Sequence, residues 1–457
     1  MKHIAFIAFL FLSHSAISQY RAPIAGGEFV MGSSECISQE ERDAVNAIIE
    51  ENIKKYNLKR GTDKSMMVLY DWPVAQNPAF DYNSSFAISN YVDHDPSFPN
   101  NLEDYNCGTH TYDTNSGYNH QGIDIYLWPF DHNQVDADQT WVVAAADGTI
   151  FAKHDGEVDD NCAFNNDPAN YVILEHSDGS RSWYWHMKLN SVTSKAVGAS
   201  VVAGEYLGVV ASSGNSTGPH LHFECYDDNL VLIDPYDGTC NSMNNGTSFW
   251  NSQKPYWEPT INTLLTHSAV PSYQACPNLD ITNIKTSFMP GETVFCGAYY
   301  HDQQTTSTTT YEIIRPDNST FSTWMHTSPG DYRSSSWFWT AGLPGNAPAG
   351  TWKWQATLDG FTVTREFMVE DCPPSYSDAN GNALTGVQST NADYETDGII
   401  ESDQIITGAG TTVDYDSGTY IELKTGFETL LGSIFHAFID GCGGAMAREE
   451  SDSSDNK

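Results

Sequence analysis

Along SQEERDAVNAIIEENIKKYNL, Ser38 to Leu58, the apolar residues Val45, Ile48, Ile49, Ile53 and Tyr56 fall three or four positions apart. That spacing predicts one amphipathic helix, opened by a capping box of Ser38 with Glu41 and closed by Gly61. From Met66 the period shortens to two. Runs such as MMVLYDW, IDIYLW, YVILEHSDGSRSWYWHM, EYLGVVASSG and HLHFECY alternate and are punctuated by turns, so residues 66–260 read as a mostly antiparallel sheet domain. Over 275–372 the pattern stays β, ending in a hairpin where Trp352, Trp354, Ala356 and Leu358 alternate, Asp359-Gly360 turns, and Phe361 and Val363 return. About a hundred residues of this kind suggest an immunoglobulin-like β-sandwich. Very short strands divided by Gly, Asp and Ser make 383–443 a small β module. The expected fold class is mainly β: an antiparallel-sheet domain with an N-terminal helix, then the sandwich, then the C-terminal module.

The opening MKHIAFIAFLFLSHSAIS has the form of a cleaved secretory signal over residues 1–18, its apolar run from Ile4 to Leu12 too short to cross a bilayer. Residues 19–65 then form a lead and helix, a pro- or accessory segment in which nothing looks catalytic. A secreted, extracellular or cell-surface chain follows, with no membrane insertion and a disordered acidic tail at 444–457. Length, 457 residues, allows two to four domains. With 59 acidic against 21 basic residues the net charge is -38, a field that repels nucleic acid and anionic membranes. Nine cysteines stand singly with no CxxC pair, which in an exported chain favours disulfides over a thiolate metal cluster. Their odd number leaves at least one thiol unpaired or bonded to another molecule.

Among the 15 histidines, His94, His110, His132, His154, His176, His267, His301, His326 and His436 carry no partner in sequence and are expected to be structural. Three places differ. In NHQGIDIY an extended chain puts His120 and Asp124 on one face, with Gly122 leaving open space between them. In SSGNSTGPHLHFE, His220 and His222 share a face, Leu221 and Phe223 point into apolar packing, and Gly214, Gly218 and Pro219 shape the loop ahead. In RSWYWHMK, Ser182, Tyr184 and His186 lie on one face and Trp183 and Trp185 on the other. One Asp and two His make a three-ligand zinc set with a fourth position left for water. Two further imidazoles then supply a base and an oxyanion donor.

Each short pattern alone recurs by chance. In this order, HxGxD, an Asp-Gly turn, YxHM and SSGxSTGPHLHFE, spread from Tyr112 to Pro235, the chain resembles the lysostaphin or LytM-type zinc metallopeptidases. AAADGTI, VILEHSDGS, VGASVVAGEYLGVVASSG and IDPY agree with that resemblance. It implies one Zn2+ per chain held by His120, Asp124 and His222, with His186 and His220 as the catalytic pair. His220, which adjoins a ligand strand, is favoured as the base. Glu224 is either an acceptor that orients a ligand ring or an ordinary edge-strand carboxylate. Separately, Tyr420-Ile421-Glu422-Leu423, Gly426-Phe427, Gly432-Ser433, Phe435 and Gly441-Cys442 resemble the coathanger-stack domain of secreted bacterial proteins, implying spacing, display or export. The expectation is a monomeric secreted zinc metalloendopeptidase for peptidoglycan cross-bridges. Glycine-rich extracellular protein is the alternative substrate, and a non-catalytic cell-surface binding protein the rival. A glycosidase has no motif-placed carboxylate pair, and a serine hydrolase no GxSxG.

Overall fold

The computed structural model describes residues 19–31, 36–63, 67–163, 167–244, 246–371 and 375–439. The expected signal 1–18, the tail 444–457, and Cys372 and Cys442 lie outside the described residues. The scaffold of the site is an antiparallel sheet in the order Ser200–Val201, Gly148–His154, Tyr171–Glu175, Arg181–Trp185, His220–Tyr226, Ile123–Leu127, Phe86–Asn90, with Leu232–Ile233 added to the His220–Tyr226 strand. Several of its strands are buried on both faces. On one face Ile123, Ile125, Val172, Leu174, Tyr184, Leu221 and Phe223 form an apolar core. A second sheet, Tyr206–Val209, Thr140–Val143 and Val74–Gln76, supplies Val142, Leu207 and Val74 to it.

The opposite face takes the N-terminal helix, Gln39–Tyr56. Ile37, Val45 and Ile49 pack there on Ile173, Trp183 and Trp185. Burying each of the three aliphatic side chains stabilises the docking by roughly 1.5–3 kcal/mol. Ile48 and Tyr56, expected in the apolar stripe, are exposed instead. The capping box of Ser38 and Glu41 forms as expected, but the helix is closed by Asn57 at φ 52°, not by Gly61. Asparagine tolerates the left-handed conformation that ends a helix. Gly61 serves a close approach: its N–H donates to Glu175 Oε1 at 3.0 Å, and a Cβ there would lie 2.0 Å from the His176 carbonyl.

The sandwich begins with Thr260–His267, ahead of residue 275, and borrows strands from the start of the chain. One sheet runs Thr260–His267, Thr293–Gln303, Tyr332–Gly342, Ala25–Glu28; the other includes Gln19–Tyr20 and the Gly350–Leu358, Phe361–Val369 hairpin. Trp352, Trp354, Ala356 and Leu358 point inward, and Asp359 (φ 49°) and Gly360 (φ 82°) make the turn. On the return strand Phe361 is exposed, and Val363 starts the inward face. Phe29 lies 4.8 Å from the Trp128 ring, Tyr126 Oη donates to Ser334 Oγ at 2.6 Å, and a Cys162–Cys276 disulfide ties the sheet domain to the loop after the first strand of the sandwich. A second disulfide joins Cys107 to Cys240, while Cys36, Cys225 and Cys296 are buried thiols.

Residues 384–438 stack short strands in parallel. Ala392–Thr396, Thr412–Ser417 and Ile434–Phe438 form one ladder, and Val387–Gln388, Ile405–Ile406 and Glu428–Thr429 another. Ile400, Ile406, Val413 and Tyr415 fill the interior.

Candidate active site

Three groups converge beside the centre of the main sheet. Antiparallel pairing sets His222 opposite Asp124 and His220 opposite Tyr126. Leu221 and Phe223 go into the core, as the two-residue period requires. His120 precedes its strand, which begins at Ile123, and still reaches Asp124: Nε2 lies 3.1 Å from Oδ1. His222 Nδ1 is 2.8 Å from the same oxygen and 3.2 Å from His120 Nε2. The space expected beside Gly122 is filled by the His222 ring, which a Cβ at residue 122 would touch at 2.6 Å.

The outer nitrogens decide what the inner ones are. His120 Nδ1 donates to the Tyr91 carbonyl at 2.6 Å, and His222 Nε2 donates to Glu224 Oε1 at 2.8 Å. A carbonyl or an ionised carboxylate only accepts, so in the neutral rings the nitrogens facing Asp124 are lone pairs. Two imidazole lone pairs and a carboxylate oxygen crowded within 3.2 Å require a positive charge. For zinc bonds of about 2.0–2.1 Å, tetrahedral geometry places donors roughly 3.3 Å apart. The set therefore fits that ion. Asn90 Nδ2 holds the other Asp124 oxygen at 3.1 Å.

The electrostatics express the same demand. Burial pushes the Asp124 carboxyl up, but the His120 and His220 rings beside it hold it well below the usual carboxylate range. Burial works against a proton on His120, yet the Asp124 charge raises its affinity to about 9. Glu224 is fully buried on an interior strand, so it is no edge-strand carboxylate. Burial would raise it, and Arg42 with His222 brings it down to about 2. Arg42 comes from the N-terminal helix and pairs with Glu224 Oε1, while Tyr226 Oη donates to Oε2 at 2.6 Å.

His186 and His220 stand next to this set, with ring centroids 4.6 Å apart. Both donate from Nδ1 to carbonyls, His186 to Ser213 at 2.6 Å and His220 to Gly218 at 2.8 Å, leaving Nε2 of each turned inward. His220 Nε2 is 3.7 Å from Asp124 Oδ1. His186 does not lie on the Ser182–Tyr184 face, as alternation suggested. Register places Trp185 beside His222 and Tyr184 beside the core residue Phe223, so the site occupies the tryptophan face. His186 joins it because its backbone turns left-handed, φ 71°, a costly conformation for a non-glycine residue that breaks the alternation.

Cys36, Arg42, Asn90 and Tyr112 carried no signal in the sequence that tied them to this place. Cys36 Sγ lies 3.3 Å from Tyr112 Oη, 3.5 Å from His220 Nε2 and 3.9 Å from Asp124 Oδ1. The odd cysteine count was the one available hint. All five expected site residues are buried, none more than 4% exposed.

Residues 119–235 match the model of Peptidase family M23. The chain is 46% identical over 55 residues to the DD-carboxypeptidase/endopeptidase Mpg of Neisseria meningitidis serogroup B, covering 12% of each chain. It is 30% identical over 133 residues to the glycyl-glycine endopeptidase ALE-1 of Staphylococcus capitis, covering 29% of this chain and 31% of that one. These matches span less than a third of the relatives' lengths. Among solved structures, the catalytic domain of lysostaphin from Staphylococcus simulans is 24% identical, covers 34% of this chain and 90% of that one, and has a TM-score of 0.20. The histidine-bearing strands and the loops between them are thus a peptidase family M23 domain.

Proposed function

We propose that this domain is a zinc endopeptidase that hydrolyses peptide bonds, with the peptide cross-bridges of peptidoglycan as its substrate. The observation that carries the reading is the convergence of His120 Nε2, Asp124 Oδ1 and His222 Nδ1 within 3.2 Å, with the outer nitrogen of each ring held by an acceptor. His120, Asp124 and His222 hold the ion, one per chain. When bound, zinc supplies the positive charge that polarises a carbonyl and acidifies water. The remaining work belongs to side chains. His220 accepts the proton of the attacking water at Nε2, and its imidazolium is steadied by the Gly218 carbonyl at Nδ1 and by Asp124. It then delivers that proton to the leaving amine. His186 is fixed by the Ser213 carbonyl at Nδ1, so it steadies the developing negative charge of the reacting carbonyl from Nε2 only in its doubly protonated form.

The names of the relatives support the substrate: one is a DD-carboxypeptidase/endopeptidase and another a glycyl-glycine endopeptidase. Such bonds lie in slim peptides of small residues. The chain acts outside the cytoplasm; two disulfides and the N-terminal sequence support that location.

The test is zinc content together with cleavage of purified peptidoglycan and of a glycine-rich protein. Intact chain and chain after limited proteolysis of the N-terminal segment are compared in wild type, His120→Ala and His220→Ala. His120→Ala should lose metal and cleavage; His220→Ala should keep metal and lose cleavage by 10²- to 10⁴-fold, the usual contribution of a positioned base. A wild type that binds no zinc in either form, or a His220→Ala chain that cleaves normally, refutes the reading.

A further inference from the structure

The zinc reading leaves one coordination position for water, and in this structure a sulfur stands there. The donor atoms of Cys36, His120, Asp124 and His222 all lie within 4.8 Å of one another, and so do those of Cys36, His186 and His220. The thiol is thus shared between the proposed ligand set and the proposed catalytic pair. With zinc bonds of about 2.3 Å to sulfur and 2.0–2.1 Å to oxygen, a tetrahedral edge is roughly 3.6 Å; Cys36 Sγ is 3.9 Å from Asp124 Oδ1. A second observation points the same way. His186 Nε2 is buried and faces the same thiol, so the sulfur sits between the ligand set and the ring that is to meet the substrate.

Cys36 is held in place from both sides. Next to it, Ile37 is fully buried against the tryptophan face, and its carbonyl accepts from Arg42. Arg42 in turn pairs with Glu224, the carboxylate that orients His222. On the other side Phe29 and Met31 pack in the cluster around Trp128, and Ala25–Glu28 is a strand of the sandwich. A peptide cannot reach residues that are at most 4% exposed, so the segment over them must leave before cleavage begins.

Resting on the zinc reading above, we propose that Cys36 is the fourth zinc ligand and that the described N-terminal residues, 19–31 and 36–63, hold the enzyme latent, Cys36 occupying the position of the attacking water. Binding costs the thiol its proton, released to solvent, and the thiolate–zinc bond forms in place of the zinc–water bond. Removal of the segment restores the water and opens the cleft.

Full-length chain loaded with cobalt(II) in place of zinc tests this directly. Wild type should show the near-ultraviolet charge-transfer band of a cobalt thiolate, and Cys36→Ser should lose that band at equal metal content. Independently of any variant, zinc should slow alkylation of Cys36 by iodoacetamide at least tenfold relative to metal-free chain, read by mass spectrometry of the Cys36 peptide. Proteolysed wild type should cleave at least tenfold faster than intact wild type. Metal bound without the band, with alkylation indifferent to zinc, overturns the proposal and leaves the zinc reading standing. Intact wild type that cleaves as fast as its proteolysed form overturns the latency. Failure of wild type to bind cobalt or zinc at all overturns the zinc reading and this proposal with it.

Discussion

Replacing Gly122 by alanine sets a methyl group against the imidazole of His222. Built on the existing backbone, its Cβ lies 2.6 Å from Cε1 and 2.7 Å from Nε2 of that ring, and 2.9 Å from the Phe223 carbonyl oxygen. Ordinary contact begins near 3.4 Å, so the ring must retreat by about 0.8 Å, or the paired strands must part. The ring has little freedom, because Glu224 holds Nε2 and Asp124 faces Nδ1, both at 2.8 Å. Overpacking of this kind costs about 1–3 kcal/mol. Displacing a ligand from its supporting contact lowers metal affinity by roughly 10–100-fold, or about 1.4–2.7 kcal/mol. Competition with a chelator of known zinc affinity, alongside thermal unfolding, reads both effects. Gly218→Ala is the control: its Cβ meets Met31 Cε at 2.9 Å, the movable end of a flexible side chain. If Gly122→Ala binds zinc as tightly as Gly218→Ala, the close packing of His222 against residue 122 does not position a ligand and the reasoning fails.

Glu224→Gln should lower zinc affinity by about 10–100-fold, because His222 Nε2 and Arg42 lose the carboxylate that both contact; chelator competition checks it, and unchanged affinity counts against the orienting role. Replacing Cys162 and Cys276 by alanine frees a loop with a sequence separation of 114 and should cost on the order of 4–5 kcal/mol in the chain-entropy account; an unaltered melting temperature rules it out. Burial depresses His301 to about 3 and His267 to about 4, whereas the unfolded chain titrates near 6.5. The unfolded state therefore binds protons that the folded state refuses as pH falls from 6.5 toward 4, and stability falls with it, by about 2 kcal/mol per histidine at pH 5. Melting curves at pH 7 and pH 5 should show a smaller drop for His301→Gln than for wild type; equal drops contradict the assignment.

Sequence periodicity was most informative where neighbours along one strand do the work. His220 and His222 on one face, and Leu221 and Phe223 on the other, follow from the two-residue period. The helix of residues 39–56 announced its start through Ser38 and Glu41, but its end lay in Asn57, whose left-handed tolerance is shared by too many asparagines to be diagnostic. His186 was placed on the wrong face because a single φ of 71° inverts the alternation, and no residue type near it signals that turn. Cys36 and Arg42 were out of reach for a different reason. Their contacts to His220 and Glu224 cross 184 and 182 positions, and docking over such distances leaves no local pattern. The same holds for Ala25–Glu28, whose sequence AGGE has little strand propensity and becomes a strand through its partner. Gly26 is what permits the pairing, since a Cβ there would lie 2.1 Å from the Ser336 carbonyl.

That pairing also sets an order of events during synthesis. Arg21 Nη2 donates to the Thr340 carbonyl across 319 positions, and Ala25–Glu28 finds its partner only in Tyr332–Gly342. While the ribosome is still adding the intervening chain, the main sheet has all of its strands long before the sandwich has its own. The first strands to emerge are thus among the last to be seated, and a chain truncated before residue 332 lacks the partner of Ala25–Glu28. Contacts this remote make for slow folding, and they place a checkpoint on it: the N-terminal segment is fixed at both ends only in molecules completed through the sandwich.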